Sequence, residues 1–174
     1  MAVQERHDVQ TVTPEGNRVM EMIDGVKVRY AVTHADDRGT LTEVYDPRWG
    51  IDDQPVVYMT DVTINPGAAK GWIKHERQDD RLYFRKGSCK VVLYDDRAGS
   101  PTYNMINEFV FTDHNRGLIF IPHGVWHGLV NVSNTEVMYS NVPTTAYNHA
   151  NPDKIRLPIE NEYIPYDLTL RRNW

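Results

Sequence analysis

Cysteine is almost absent from this sequence. The 174 residues include one cysteine, Cys89, so the chain can form neither an internal disulfide nor a zinc site built from several thiolates. Cys89 alternates with Val91 and Leu93, a pattern that predicts a buried strand rather than a reactive thiol. We therefore expect the protein to work in a reducing compartment.

Long apolar runs are missing as well. No stretch approaches the ~20 residues that a membrane-spanning helix needs, and the mean hydropathy is −0.57. Residues 1–8 are polar and mixed in charge, without the apolar segment of a secretory signal. We expect a cytoplasmic protein without a membrane partner.

Positive charge is in the minority. Lysine and arginine number 19 against 24 acidic residues, which gives a net charge of −5. A nucleic-acid surface needs a dense basic patch, so we expect no nucleic-acid partner. A few lysine or arginine side chains are still enough to hold a small anion.

What the sequence does contain is a series of short strand patterns separated by turn residues such as Asn65-Pro66-Gly67. This spacing is typical of an all-β sandwich or barrel. The predicted strands cover residues 26–33, 40–45, 56–64, 81–85, 89–94, 108–112, 118–121, 128–132 and 137–142.

We expect short helical elements near both termini. The first begins after Thr13, with Pro14 at its first position, and ends before Gly25, and a second forms a turn at the end of the chain. We interpret residues 1–174 as a single domain. It would consist of an N-terminal arm (1–25), a body (26–147) and a C-terminal tail (148–174).

The clearest motif follows the predicted strand 118–121. Pro122 and Gly124 form a turn, His127 comes three residues after the glycine, and Asn131 follows four residues later on the same side of the next strand. This pattern resembles the second motif of the cupin superfamily. The resemblance implies a double-stranded β-helix, or jelly roll, with His127 pointing into it.

A second cluster lies upstream. His75 is followed by Asp80 after five residues and by Gly87 after seven more, which resembles the first cupin motif. Ile73 stands where that motif has its first metal-binding histidine. At most three ligands remain, namely His75, Asp80 and His127, and three could hold a metal with one open position. We expect no metal and no cofactor, with a metal-dependent cupin as an alternative.

Four runs narrow the resemblance, and together they cover about residues 30–147. Residues 36–43, 70–75, 95–103 and 122–128 are similar to the DxRGxxxE, RGLHYQ, DLRxxSPTxG and IPxGxAHGF stretches of the dTDP-4-dehydrorhamnose 3,5-epimerase family, whose members are metal-free cupins. The resemblance implies a nucleotide-sugar epimerase of deoxysugar and polysaccharide biosynthesis. It would act next to the 4-keto group of a dTDP-4-keto-6-deoxyhexose.

In such an enzyme a histidine removes the proton beside the ketone and a tyrosine returns one from the other face. The resemblance places His75 at the base position and Tyr139 at the acid position. A histidine suits this task because its pKa lies near neutrality. The place of Tyr139 depends on a gap, and an alignment on residues 144–147 puts Val142 there instead.

The substrate-binding positions follow from the same resemblance. Arg38 and Lys70 would hold the diphosphate, Glu43 the nucleotide, and His127 would lie beside the sugar. Arg81 comes one residue after the position of the family's lysine, whose positive charge supports the enolate.

Two positions depart from the family. Asp80 occupies the place of that lysine, and no tail motif identifies the carboxylate that orients the base. Asp153, Glu160 and Asp167 are the candidates for that carboxylate. Two alternatives therefore stay open, a 3,4-ketoisomerase on the same substrate class and a sugar-binding cupin without turnover. Family members are dimers in which an N-terminal strand of one subunit helps to build the other's site, so the resemblance implies a homodimer.

Overall fold

The structure, a computed structural model, describes residues 8–169. Within that range the chain forms twelve strands and one 3₁₀ turn at Pro47–Trp49. The strands are β1 (Lys27–Tyr30), β2 (Thr33–Asp36), β3 (Gly39–Thr42), β4 (Thr60–Ile64), β5 (Ala69–His75), β6 (Asp80–Lys86), β7 (Cys89–Asp95), β8 (Ile106–Phe111), β9 (Gly117–Ile121), β10 (Val125–Asn131), β11 (Val137–Asn141) and β12 (Lys154–Arg156).

Ten of these strands form two five-stranded antiparallel sheets. Sheet I has the order β1-β9-β6-β11-β4, and sheet II has the order β12-β5-β10-β7-β8. Strands β2 and β3 form a separate hairpin. This arrangement confirms the all-β jelly roll that the motifs predicted.

The core lies between the inner faces of the two sheets. Leu82 and Phe84 of sheet I pack there against Val91, Leu93 and other apolar residues of sheet II. Because side chains alternate along a strand, their neighbours Arg81 and Tyr83 point to the outer face of sheet I. The same alternation of side chains decides which polar residues point into the interior.

A second apolar cluster attaches the C-terminal segment to the outer face of sheet II. Ile164 and Leu168 pack there with Trp72 and other aromatic residues. The packing is close, because a Cβ on Gly128 would lie 2.6 Å from Cδ2 of Leu168. The tail is therefore part of the packed structure as far as residue 169.

The predicted N-terminal helix is wrong. Val12 and Arg18 pair as an isolated antiparallel bridge, and Gly16 has a φ of 84° in the turn between them. Such a backbone angle interrupts a right-handed helix. The C-terminal half of the predicted helix has no regular secondary structure, and Ile23 inserts into the core. No helix appears in residues 148–169, and the chain end after residue 169 lies outside the described part.

Three strands were not predicted, namely β2, β5 and β12, and the strand expected at residues 56–64 begins only at Thr60.

In the described part of the chain, no helix has the length and apolar character needed to cross a bilayer. The division into arm, body and tail stays a prediction, although β12 shows that the tail contributes a strand to sheet II.

Candidate active site

Two histidines from neighbouring strands of sheet II lie side by side in the interior. His127 pairs with Ile73 on one side and with the core residue Leu93 on the other, which fixes its inward direction. His75 ends β5 on the same face, and the two rings stack with centroids 6.0 Å apart. Both side chains are buried, so the two predicted site histidines come together.

Asp80 faces these rings from sheet I. Its Oδ2 lies 3.4 Å from Nε2 of His75 and 3.5 Å from Nε2 of His127. Its Oδ1 accepts hydrogen bonds from Nε2 of Gln78 at 2.7 Å and from Nδ2 of Asn141 at 3.0 Å. Burial alone would raise the pKa of Asp80, but these neighbours outweigh it and lower that pKa, so the carboxylate stays ionised.

His127 is an uncharged imidazole at neutral pH. Burial lowers its pKa to about 4, and the negative charge of Asp80 only partly opposes this effect. Its Nδ1 lies 3.4 Å from the backbone oxygen of Val125, which favours the tautomer that carries a proton on Nδ1.

A second carboxylate approaches His75 from the tail. Oδ2 of Asp153 lies 3.6 Å from Nδ1 of His75 and accepts hydrogen bonds from the backbone amides of Arg77 and Gln78. Burial would raise the pKa of Asp153, but the two amides lower it below its ordinary value. Of the three candidates for the base-orienting carboxylate, Asp153 is the one that the fold brings to His75, whereas Glu160 and Asp167 are exposed.

Lys154 is a site residue that the sequence analysis missed. It pairs directly with His75 in the β5–β12 ladder, and directly paired residues of an antiparallel ladder point to the same face. Its side chain is half-buried, and burial lowers its pKa, with further lowering from the charges of Arg156 and Lys70. The charge of Asp80 acts in the opposite direction, so a cation lies within electrostatic reach of the carboxylate.

Tyr139 also lies in the interior, on β11 of sheet I. Its ring packs 5.3 Å from that of Phe84, and burial raises its pKa, with a further rise from the charges of Cys89 and Asp80. The phenol therefore keeps its proton at neutral pH.

Lys70 lies on β5 of sheet II. Its ladder partner is the core residue Leu129, so its side chain leaves the strand on the interior face, and it is exposed to solvent.

Arg81 is not brought to this interior. It follows Asp80 on β6, so its side chain points to the outer face of sheet I, where Nε donates to Oδ2 of Asp52 at 2.7 Å. It also donates to the backbone oxygens of Gln54 and Val142. The guanidinium thus holds the loop before β4 by hydrogen bonds and does not face Asp80.

Arg38 and Glu43 are likewise remote from His75 within one chain. Arg38 lies in the turn of the β2–β3 hairpin, is exposed, and pairs with Asp36. Glu43 follows β3 and borders a small cavity together with Tyr83 of the outer face of sheet I. If these two residues contact the nucleotide, they do so at a site other than the interior of their own chain.

The interior cluster could also hold a cation. One nitrogen of His75, one nitrogen of His127 and one oxygen of Asp80 all lie within 4.8 Å of one another. A histidine with a carboxylate on its far nitrogen, a second histidine, a tyrosine and a half-buried lysine can together carry out proton transfer beside a carbonyl.

Comparison with known proteins gives consistent results. The family model described as dTDP-4-dehydrorhamnose 3,5-epimerase matches residues 21–170. A probable low-salt glycan biosynthesis epimerase of Haloferax volcanii is 36% identical over 145 residues, which is 81% of this chain and 91% of that protein. A spore coat polysaccharide biosynthesis protein of Bacillus subtilis is 34% identical over 84% of this chain and 96% of its own.

Among solved structures, a dTDP sugar isomerase from Desulfovibrio desulfuricans matches with a TM-score of 0.76 and 21% identity. The match covers 83% of this chain and 90% of that one, and at this identity it supports the fold alone. The sequence relatives and the family model carry the assignment further. This chain is a member of the dTDP-4-dehydrorhamnose 3,5-epimerase family, an enzyme family of the jelly-roll type.

Proposed function

We propose that the protein epimerises a dTDP-4-keto-6-deoxyhexose at a carbon next to its keto group. The observation that carries this proposal is the contact between His75 and Asp153 inside the sandwich. It couples an imidazole on β5 to a carboxylate on the segment before β12, at a point that the family resemblance assigns to the base.

In this proposal Nε2 of His75 takes the proton from the carbon beside the ketone. Asp153 faces Nδ1, favours the tautomer with its proton there, and stabilises the imidazolium that forms. The two backbone amides that bond Asp153 hold the carboxylate in place, so it orients the base instead of titrating.

The enolate that results needs a positive or hydrogen-bonding partner. Lys154 can supply it, because it lies on the same interior face as His75 although the family's lysine position is occupied by Asp80. Tyr139 would return a proton from the facing sheet, since its buried phenol is protonated at neutral pH.

The diphosphate would bind at the exposed edge of sheet II. Lys70 and Arg156 lie near enough to Lys154 for their charges to lower its pKa, so three cations are concentrated at one end of the interior. Phosphate oxygens are strong acceptors for such groups. Replacing Lys70 with alanine should weaken dTDP binding by about 1.5–3 kcal/mol, as measured by calorimetry, and the loss should shrink as salt is added.

A homodimer would give Arg38 and Glu43 a role. The β2–β3 hairpin is almost wholly exposed and does not join either sheet. We propose that it reaches a second copy and offers Arg38 to the diphosphate and Glu43 to the nucleotide bound there. The cytoplasm would suit this reaction, and the names of the two sequence relatives favour a role in making a surface glycan.

The test is incubation of the protein with dTDP-4-keto-6-deoxyglucose in D₂O. We expect deuterium to enter the sugar, and His75→Asn should slow its entry by about 10²–10⁴. His114→Asn is a matched control, because His114 is exposed in the β8–β9 turn.

Three outcomes would contradict the proposal. Wild-type exchange in His75→Asn would remove His75 as the base. A product whose keto group has moved, seen by NMR, would identify a 3,4-ketoisomerase. Tight binding of dTDP with no exchange in the wild-type protein would indicate a sugar-binding cupin, which the negative charge of Asp80 beside a developing enolate would favour.

A further inference from the structure

One carboxylate on the outer face of sheet II contacts three segments of the chain. Asp96, directly after β7, accepts hydrogen bonds from Nζ of Lys74 at 2.8 Å, Nε1 of Trp126 at 2.8 Å and the hydroxyl of Tyr163 at 2.9 Å. The ammonium of Lys74 also lies 4.6 Å from the centroid of the Trp126 ring. We call these four residues the Asp96 bridge. The carboxylate is only 9% exposed, so its donors are protein groups rather than bulk water.

Two of the three donors are chain neighbours of the site histidines. Lys74 directly precedes His75 on β5. Trp126 directly precedes His127 on β10. Because side chains alternate along a strand, each donor points outward where its neighbour points into the interior. The Asp96 bridge therefore connects, from outside, the two backbone segments that carry the stacked rings.

The third donor belongs to the tail that also carries Asp153. Oδ1 of Asn161 accepts hydrogen bonds from the backbone amides of Tyr163 at 3.0 Å and Ile164 at 2.8 Å, which closes a turn. The hydroxyl of Tyr163 extends from this turn to Asp96, while Ile164 packs into the apolar cluster on sheet II. The bridge thus connects the segment of the base-orienting carboxylate to the strands of both histidines.

The end of β5 needs such a connection. The paired register between β5 and β10 reaches Ile73, opposite His127, and His75 lies two residues beyond it. Past that pair, the backbone amide of Gly124 donates to the backbone oxygen of His75 at 2.8 Å. The Asp96 bridge is a second contact that holds the end of β5 against the start of β10.

The bridge is also a departure from the family stretches. At the positions of Lys74, Asp96 and Trp126, the RGLHYQ, DLRxxSPTxG and IPxGxAHGF stretches have tyrosine, leucine and alanine. Leucine and alanine have no polar group, so they cannot form these hydrogen bonds. Three departures from separate parts of the sequence meet at one point of the fold.

We propose that Asp96 is a positioning residue of the site. Its carboxylate keeps His75, His127 and the segment of Asp153 in their relative places. A misplacement of about 1 Å can cost about 100-fold in rate, because proton transfer depends on the geometry of the reacting groups. The effect on rate rests on the proposed function, whereas the effect on the two histidines does not.

The first variant is Asp96→Leu, which introduces the residue of the family stretch. We expect deuterium entry into the sugar at saturating substrate to fall by about 10–100-fold. The calorimetric affinity for dTDP should stay unchanged, because Lys70 lies at the opposite end of β5. The NMR signals of the ring nitrogens of His75 and His127 should shift, since they report the hydrogen bonding of each imidazole.

Tyr163→Phe is the milder variant and removes a single hydroxyl. Tyr163 is 57% exposed, so this variant should fold normally and gives a result even if Asp96→Leu does not fold. We expect a smaller loss of rate than in Asp96→Leu. Because both residues act through one bridge, the double variant should be no slower than Asp96→Leu alone.

Asp46→Leu is the matched control. It also removes a carboxylate that pairs with a cation, Arg48, but it does so beside the 3₁₀ turn, whose Trp49 packs on the outer face of sheet I. Its exchange rate per folded molecule and its histidine signals should equal those of the wild-type protein. Urea unfolding gives the folded fraction of every variant.

Wild-type rates and histidine signals in Asp96→Leu, or in Tyr163→Phe if only that variant folds, would overturn the positioning role. A loss of dTDP affinity as large as the loss of rate would also overturn it, since Asp96 would then act on binding. If the wild-type protein shows no exchange, the proposed function fails, and the histidine signals of the same variants decide the positioning role by themselves.

Discussion

Two buried aspartates of this protein are bonded in opposite ways. Asp95, at the end of β7, accepts hydrogen bonds on both oxygens: from Arg97, from the hydroxyl of Ser100 at 2.6 Å, and from that of Thr102 at 2.7 Å. Asp80 has donors on Oδ1 only, and its Oδ2 faces two imidazole nitrogens.

The difference separates a structural carboxylate from a reactive one. Burial would raise the pKa of Asp95, but its donors lower that pKa strongly and leave no lone pair for a ligand. The turn that follows β7 is held closed by these bonds. Asp80 keeps one oxygen for a proton, a metal ion or a substrate, so its surroundings can change state without unfolding the protein.

The largest expected effect concerns stability. Asp95→Asn leaves the guanidinium of Arg97 and two hydroxyls without their anionic acceptor, and removing one partner of a buried pair costs about 3–5 kcal/mol. Arg97 keeps some exposure, so we expect the lower end, about 3 kcal/mol, in the free energy of unfolding by urea. A loss below about 1 kcal/mol would break the comparison, as would slower deuterium exchange per folded molecule.

The next effect is a pH dependence that comes from the site. The pKa of His127 is about 4 in the folded protein and 6.5 in the unfolded chain, so the unfolded chain takes up a proton first as the pH falls. Stability should therefore decrease from about pH 6.5 down to about pH 4, by up to about 3 kcal/mol from this residue. The depressed pKa of Asp80 adds a loss only at more acidic pH.

His127→Gln tests this assignment, because glutamine does not titrate. The variant should lose most of the stability slope between pH 6.5 and pH 4, while His114→Gln, at an exposed position, should keep it. An unchanged slope in His127→Gln would assign the acid sensitivity to another group.

A smaller effect is expected for Asp153, the carboxylate that faces Nδ1 of His75. Asp153→Asn keeps the size of the side chain but removes the charge that orients and stabilises His75. We expect deuterium exchange to fall at least tenfold, about 1.4 kcal/mol in activation free energy. Glu160→Gln, an exposed change in the same tail, should leave the rate unaltered, and equal rates in both variants would remove Asp153 from the mechanism.

The smallest effect is expected for Asp80→Asn, which tests the contrast between Asp80 and Asp95. Asp80→Asn preserves an oxygen for Gln78 and Asn141, and the new amide can donate to an imidazole nitrogen. The amide offsets part of what the lost charge contributed, so we expect the free energy of unfolding at pH 7 to fall by less than in Asp95→Asn. A loss as large as that of Asp95→Asn would show that Asp80 is equally structural.

The sequence carried enough information for the jelly roll and for the two histidines. Pro122, Gly124 and His127 form a local motif. Such a motif can be read from the sequence because it depends on residues that are close together in the chain. Strand parity could also have placed Arg81 on the outer face, because it neighbours Asp80 on one strand. The family resemblance concerns the charge at this position and carries no information on the direction of the side chain.

Other features depend on contacts that no local pattern encodes. Strand β5 contains Gly71, which weakens a strand pattern, yet a Cβ at that position would lie 2.7 Å from Cα of Gly128. The close approach of β10 and a φ of 141° together explain this glycine. Asp153 and Lys154 became site residues through the register of β12 against β5, which joins segments about 80 residues apart. The helix expected after Thr13 was wrong because the core contact of Ile23 outweighs local propensity.

The three-residue strand β12 links the site to the docking of the tail. An edge strand this short is held mainly by its ladder with β5 and by apolar contacts such as those of Leu157 and Leu168, so it can detach while the other nine strands of the two sheets stay paired. A ligand that contacts Lys154 would then lower the population of the detached form, by linkage. Amide hydrogens of residues 154–157 should exchange more slowly when dTDP is bound. Hydrogen exchange in the C-terminal segment would then indicate whether the nucleotide site is occupied.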